Sequence, residues 1–75
     1  MENSNADEQD DKHRPLTDRE RSIADLACGG LSNREIARRV GVSEGVVKLH
    51  LHKVYQKVGV QNRLKLILQW RSKMK

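Results

Sequence analysis

Two copies of one helix-start signal divide this chain into short segments. Thr17 is followed three residues later by Glu20, and Ser32 is followed at the same spacing by Glu35. In such a capping box the hydroxyl and the carboxylate each accept a hydrogen bond from the other residue's backbone amide. Matching stop signals come from residues that adopt left-handed backbone at little cost. They are Gly29, Gly30, Gly41 and Gly59.

Apolar residues recur at helical spacing between these signals, and no strand pattern occurs. The predicted helices cover residues 17–29, 32–40, 43–58 and 62–72. The fold class is therefore predicted to be all-α, a compact four-helix domain containing a helix-turn-helix. That motif is formed by the short second helix, the tight Gly41-Val42 turn and the longer third helix. Gly41 is required by the strained backbone of the turn, and Ala37 by the close crossing of the two helices.

The fourth predicted helix begins with Asn62 as its cap. Its apolar side is formed by Leu64, Ile67 and Leu68. Trp70 could belong either to the core or to a dimer interface, and an aromatic side chain on a small helix favours the interface.

Charge is distributed very unevenly along the chain. Residues 1–14 contain five acidic and two basic residues, a net charge of −3, and few large apolar side chains. This acidic N-terminal tail is predicted to be disordered, and residues 15–75 to form the domain. Residues 45–75 contain eight Lys or Arg and no Asp or Glu. A segment whose charged residues are all basic favours binding to a polyanionic partner, although a solvated basic tail is the alternative.

The third predicted helix carries this charge on one face. Its apolar face is formed by Val47, Leu51, Val54 and Val58. The outward face holds Lys48, Leu49, His52, Lys53 and Gln56. Long donors beside one apolar group suit the major groove of DNA, where guanine offers acceptors and thymine a methyl group.

Size and composition argue against other classes. A 75-residue chain supports one domain and is too small to enclose a substrate pocket, so we do not expect an enzyme. No segment is long and apolar enough for a membrane span or a signal peptide, and we expect a cytoplasmic protein. The single Cys28 cannot form an internal disulfide, and neither a metal site nor a cofactor is predicted.

At this point the sequence resembles the LuxR-type, or GerE-type, DNA-binding domain. The resemblance is carried by LTDRE at 16–20, by GLSNREIARRVGVSEGVVKLHLHKVYQKVGV at 30–60, and by NR at 62–63. It implies four helices, with the third as recognition helix, and dimerisation through the fourth. The implied base-contacting residues are Lys48, Leu49 and His52. The implied DNA-backbone contacts are Asn33, Arg34, Ser43, His50 and Lys53. The implied dimer interface is Leu64, Ile67, Leu68 and Trp70.

Three features depart from the usual pattern of that family, and one is His52, a base-facing position at which another residue is common. Val46 stands where a threonine is common, which removes a hydroxyl that could contact phosphate. Leu64-Lys65-Leu66 replaces a polar start, so the fourth helix lacks a capping box and is more apolar. A stronger or redirected dimer contact would follow from this change.

The sequence thus predicts a transcription regulator that binds double-stranded DNA as a homodimer. The alternative is a protein-interaction module on the same fold, for example one that docks on RNA polymerase. The resemblance leaves open whether the chain is a stand-alone regulator or the effector domain of a larger one.

Overall fold

The computed structural model of the chain describes residues 15–73, and the predicted acidic tail at 1–14 lies outside this range. It contains helices α1 (Asp18–Cys28), α2 (Asn33–Val40), α3 (Glu44–Val58) and α4 (Arg63–Lys73). The described residues contain no strand. The all-α fold class is confirmed, and each predicted helix boundary lies within one residue of the observed one.

Both predicted capping boxes are formed. The amide of Glu20 donates to Oγ1 of Thr17 at 3.1 Å, and the amide of Thr17 donates to Oε1 of Glu20 at 2.9 Å. At the start of α2 the corresponding distances between Ser32 and Glu35 are 3.2 and 2.9 Å. The paired bonds fix the first turn of each helix, because they satisfy amides that have no partner within the helix.

The end of α1 differs in detail from the prediction that both Gly29 and Gly30 would turn the chain. Gly29 has φ −83° and still donates to carbonyls of α1. Gly30 has φ 101° and donates to Ala27, while the amide of Leu31 donates to Leu26. This is a Schellman ending, in which one left-handed residue reverses the chain. Of these two glycines, only Gly30 has backbone angles that require glycine.

One apolar core joins all four helices. Its buried members are Ile23, Ala24 and Ala27 from α1, Ile36 and Ala37 from α2, Val47, Leu51 and Val54 from α3, and Leu66 from α4. The most extensive packing is between α1 and α3, and α2 also packs on α3. The helix with the outward basic residues is thus held rigidly by its inner face.

The apolar side of α4 was predicted incompletely. Leu66, which the sequence analysis did not assign to the core, is fully buried. Leu64 and Leu68 are 65% and 58% exposed, and Ile67 is half-buried. Trp70 packs partly against the core, one turn after Leu66. The helix therefore has an inner apolar edge at 66 and 70 and an outer one at 64 and 68.

None of the described helices is both long and apolar enough to cross a membrane.

Candidate nucleic-acid interface

The helix-turn-helix consists of α2, a three-residue turn and α3. Gly41 has φ 84°, so the turn passes through left-handed backbone as predicted. The amides of Gly41 and Val42 both donate to the carbonyl of Ala37, at 2.8 and 3.0 Å. Ala37 is 6% exposed, and its small side chain suits the crossing of the two helices. Because the turn is closed by these bonds, α3 has a fixed direction relative to α2.

The face of α3 opposite the core is exposed to solvent. Its exposed residues are Lys48, Leu49, His52, Lys53 and Gln56, as the helical spacing predicted. Leu49 is 65% exposed, so this face presents an apolar group beside its hydrogen-bond donors. His50 lies at the edge of this face and is half-buried.

One contact orders a side chain on this face. Nε2 of Gln56 lies 3.4 Å from Nε2 of His52, one helical turn away. Either ring nitrogen of His52 can carry the proton, so the tautomer decides which atom donates in this contact.

The start of α3 is capped by Ser43. Its Oγ accepts from the amide of Val46 at 3.2 Å, so the predicted cap is formed. The hydroxyl hydrogen of Ser43 remains able to donate to another group. Val46 offers no hydroxyl of its own, and Glu44 is exposed in the first turn.

The start of α2 shows an arrangement that sequence reasoning missed. Nη1 of Arg63 donates to Oδ1 of Asn33 at 2.6 Å, and Nη2 of Arg63 donates to the carbonyl of Leu31. Arg63 is the first residue of α4 and lies thirty positions from Asn33 in the sequence. Arg34, beside Asn33, is exposed. No local pattern could signal this contact, because it depends on how α4 packs against the helix-turn-helix.

The cations of the α3 face carry no ion pair within residues 15–73. The ion pair found there joins Lys57 to Glu20, at the far end of α3. Lys48 and Lys53 are both exposed, and no acidic residue follows Glu44 in the sequence. Within residues 15–73 this face of α3 therefore carries positive charge that no carboxylate pairs with.

A short bracing helix, a closed glycine turn and a longer helix with a basic outer face define a helix-turn-helix domain. The family model of the bacterial regulatory proteins of the luxR family matches residues 14–69. The chain belongs to this family, which confirms the resemblance seen in the sequence. This is a family of DNA-binding regulators and not of enzymes, in agreement with the prediction that the chain is not an enzyme.

Curated relatives share the domain only. The chain is similar to the transcriptional regulatory protein DesR of Bacillus subtilis, with 32% identity over 59 residues, or 79% of this chain and 30% of the relative. It is also similar to the CsgBAC operon transcriptional regulatory protein of Escherichia coli, with 42% identity over 52 residues, or 69% of this chain and 24% of the relative. The chain thus spans less than a third of the length of these relatives. No solved structure matched the chain.

Proposed function

We propose that this domain binds duplex DNA at specific sequences and thereby regulates transcription, with α3 lying in the major groove. One observation carries the proposal most directly. The exposed face of α3 has donors and an apolar group but no carboxylate between Gly45 and Val58. A solvated helix normally mixes charges of both signs, whereas a helix that enters the groove avoids acids near phosphate.

The central part of this face is proposed to read the bases. Lys48 and a ring N–H of His52 can bond to the acceptors that guanine presents in the groove. Leu49 lies on the same exposed face, where it could contact the methyl group of thymine. All three side chains are exposed, so binding needs no rearrangement of the core.

The flanking residues are proposed to hold the DNA backbone. They are Asn33, Arg34, Ser43, His50 and Lys53. Asn33 and Ser43 lie at the starts of α2 and α3, where helix dipoles also favour an anion. Contacts of this kind orient the protein and contribute affinity for any sequence.

We further propose that two copies pair through α4 on DNA with two half-sites. Leu64 and Leu68 are exposed one turn apart on the same side of the helix, and such a pair buries well against its own copy. Ile67 borders this strip, and the exposed edge of Trp70 is expected to extend it. Bacterial DNA lies in the cytoplasm, and we place the protein there.

The alternative of a module that docks on RNA polymerase is disfavoured by the same α3 face. An apolar and acidic outer face would suit a protein partner, and this face is basic. The discriminating experiment selects binding sites from random duplexes and then titrates the best duplex at several salt concentrations. Affinity is expected to fall steeply with salt, because cations on the protein displace counterions from phosphate. If no duplex binds at low salt, the proposal is wrong.

A further inference from the structure

Arg63 joins two parts of the domain that the proposed function treats separately. It begins α4, and its guanidinium reaches the start of α2, where it bonds to the side chain of Asn33 and the carbonyl of Leu31. Both bonds are partly buried. From this geometry we infer that Arg63 is a positioning residue, which turns the amide of Asn33 so that its nitrogen faces a DNA phosphate. The inference rests on the proposed DNA binding and extends it to a residue outside the helix-turn-helix.

The chemistry of the asparagine side chain carries the argument. One end of its amide accepts hydrogen bonds and the other donates, and the two ends have nearly the same shape. Phosphate oxygens only accept, so Asn33 can bind DNA backbone only through Nδ2. An unrestrained asparagine would present either end.

Arg63 removes this ambiguity. A guanidinium has five N–H donors and no acceptor, so it can bond only to Oδ1 of Asn33. The observed 2.6 Å contact therefore places Nδ2 on the opposite side. The second bond, to the carbonyl of Leu31, fixes the guanidinium plane itself. Asn33 stays partly exposed, which leaves its nitrogen accessible.

The positive charge of Arg63 also affects the amide of Asn33. No carboxylate within residues 15–73 forms an ion pair with it. A cation bonded to the amide oxygen polarises the amide and makes Nδ2 a stronger donor, because linked hydrogen bonds reinforce one another. Arg63 thus orients the phosphate contact and strengthens it without having to touch the phosphate.

A double-mutant cycle tests the inference. Arg63→Met keeps the aliphatic bulk and removes the donors, and Asn33→Ala removes the proposed contact. Asn33→Ala is expected to weaken binding about tenfold, the effect typical of one hydrogen bond to a charged group. Arg63→Met is expected to weaken it about three- to tenfold, because the freed amide presents Nδ2 only part of the time and as a weaker donor. Each loss is expected to be equal on the selected duplex and on an unrelated duplex. The double variant should bind about as well as Asn33→Ala alone, since Arg63 acts only through the contact of Asn33.

The control for lost charge is Arg39→Met. Arg39 is an exposed cation of α2 that lines the groove towards α1, away from Asn33. Its replacement is expected to change affinity much less. Circular dichroism of each free variant shows whether the helices remain formed.

Asn33→Asp provides a second measurement should Arg63→Met fail to fold. A carboxylate at this position would pair with Arg63 and favour the start of α2, so thermal stability should be kept or raised. It offers no donor to phosphate, so DNA affinity should fall at least about tenfold.

Two results would overturn the inference while leaving DNA binding intact. The losses of Arg63→Met and Asn33→Ala could multiply, which would mean that the residues act separately. Alternatively, Asn33→Asp could bind as well as the wild type. A wild-type protein that binds no duplex, in the same titrations, would instead refute the proposed function and this inference together.

Discussion

Nζ of Lys57, in the last turn of α3, lies 2.7 Å from Oε1 of Glu20, in the first turn of α1. Both side chains are almost completely buried, with 9% and 6% exposure. The same carboxylate oxygen accepts a hydrogen bond from the amide of Thr17, so one atom closes the capping box and binds the far end of α3. This pair ties the direction of α3 to the start of the domain.

Glu20→Gln is expected to lower the free energy of unfolding by about 3 kcal/mol, because it leaves the buried cation of Lys57 without a charged partner. Urea unfolding of both proteins measures the difference. Glu35→Gln is the matched control, since Glu35 occupies the same capping-box position in α2 but is exposed and has no buried lysine. Equal losses in the two variants would show that the ion pair contributes nothing beyond the cap.

The same pair makes stability depend on pH in the acid range. Burial tends to raise the pKa of Glu20, but hydrogen bonds from Lys57 and Thr17 and the charge of Lys57 outweigh it, and the pKa falls below 4.5. The folded state therefore binds this proton less tightly than the unfolded state. The stabilisation is complete above about pH 5 and is lost as the pH falls through the folded pKa.

Unfolding free energies of wild type and Glu20→Gln, measured between pH 6 and 3, check this prediction. The difference between the two proteins should shrink as the solution is acidified below pH 4.5. Comparison with this variant is necessary because hydrogen bonds from Ser32 also lower the pKa of Glu35. A difference that stays constant with pH would contradict the assignment to Glu20.

Local signals explain why so much of the fold could be predicted. Each capping box joins residues three positions apart, and each glycine stop acts within one turn. The outward face of α3 likewise follows from helical spacing alone. These features depend on short stretches of chain. A single sequence is therefore sufficient to predict the cap at Ser32, the turn at Gly41 and the exposure of Lys48.

The missed features all depend on how segments far apart in the sequence pack against one another. Lys57–Glu20, Arg63–Asn33 and Trp70–Asp25 join residues 37, 30 and 45 positions apart. In α4 itself the pattern Leu64-Lys65-Leu66-Ile67-Leu68 is apolar on more than one side. Spacing therefore could not identify Leu66 as the buried residue. It also could not show that the indole N–H of Trp70 donates a hydrogen bond to Asp25 of α1.

A pair of glycine substitutions tests the geometry of the turn. Gly41→Ala should destabilise the protein by about 1 kcal/mol, because its φ of 84° disfavours any Cβ although no atom lies within 4 Å of it. Gly45→Ala should stabilise it by about 0.5 kcal/mol, because alanine favours the helix. A Cβ at 45 would lie 3.9 Å from Oγ of Ser43, an ordinary contact. Thermal melts measure both, and the prediction requires opposite signs.

Substitutions on α3 should distinguish the residues proposed to contact bases from those proposed to contact the DNA backbone. Lys48→Ala and His52→Ala are expected to cost about 1–3 kcal/mol on the preferred duplex and much less on unrelated DNA. Lys53→Ala should weaken both to the same degree and reduce the dependence of the logarithm of affinity on the logarithm of salt concentration by about one. Fluorescence anisotropy on both duplexes provides the comparison. If Lys53→Ala abolished the preference for the selected duplex and Lys48→Ala left that preference unchanged, the roles assigned to these two residues would be reversed.

The two apolar edges of α4 give the final prediction. Leu68→Glu places a charge on the exposed edge, so the free domain should stay as stable as the wild type. Binding to a duplex with two half-sites should weaken at least about tenfold, since each leucine buried in an interface contributes about 1.5–3 kcal/mol. Binding to a single half-site should not change. Leu66→Ala provides the contrast, because it opens the core and should lower the free energy of unfolding by about 3 kcal/mol. Analytical ultracentrifugation with each duplex distinguishes one bound copy from two. If Leu68→Glu still binds as a pair with undiminished affinity, the copies meet through another surface, and the exposure of Leu64 and Leu68 has a different cause.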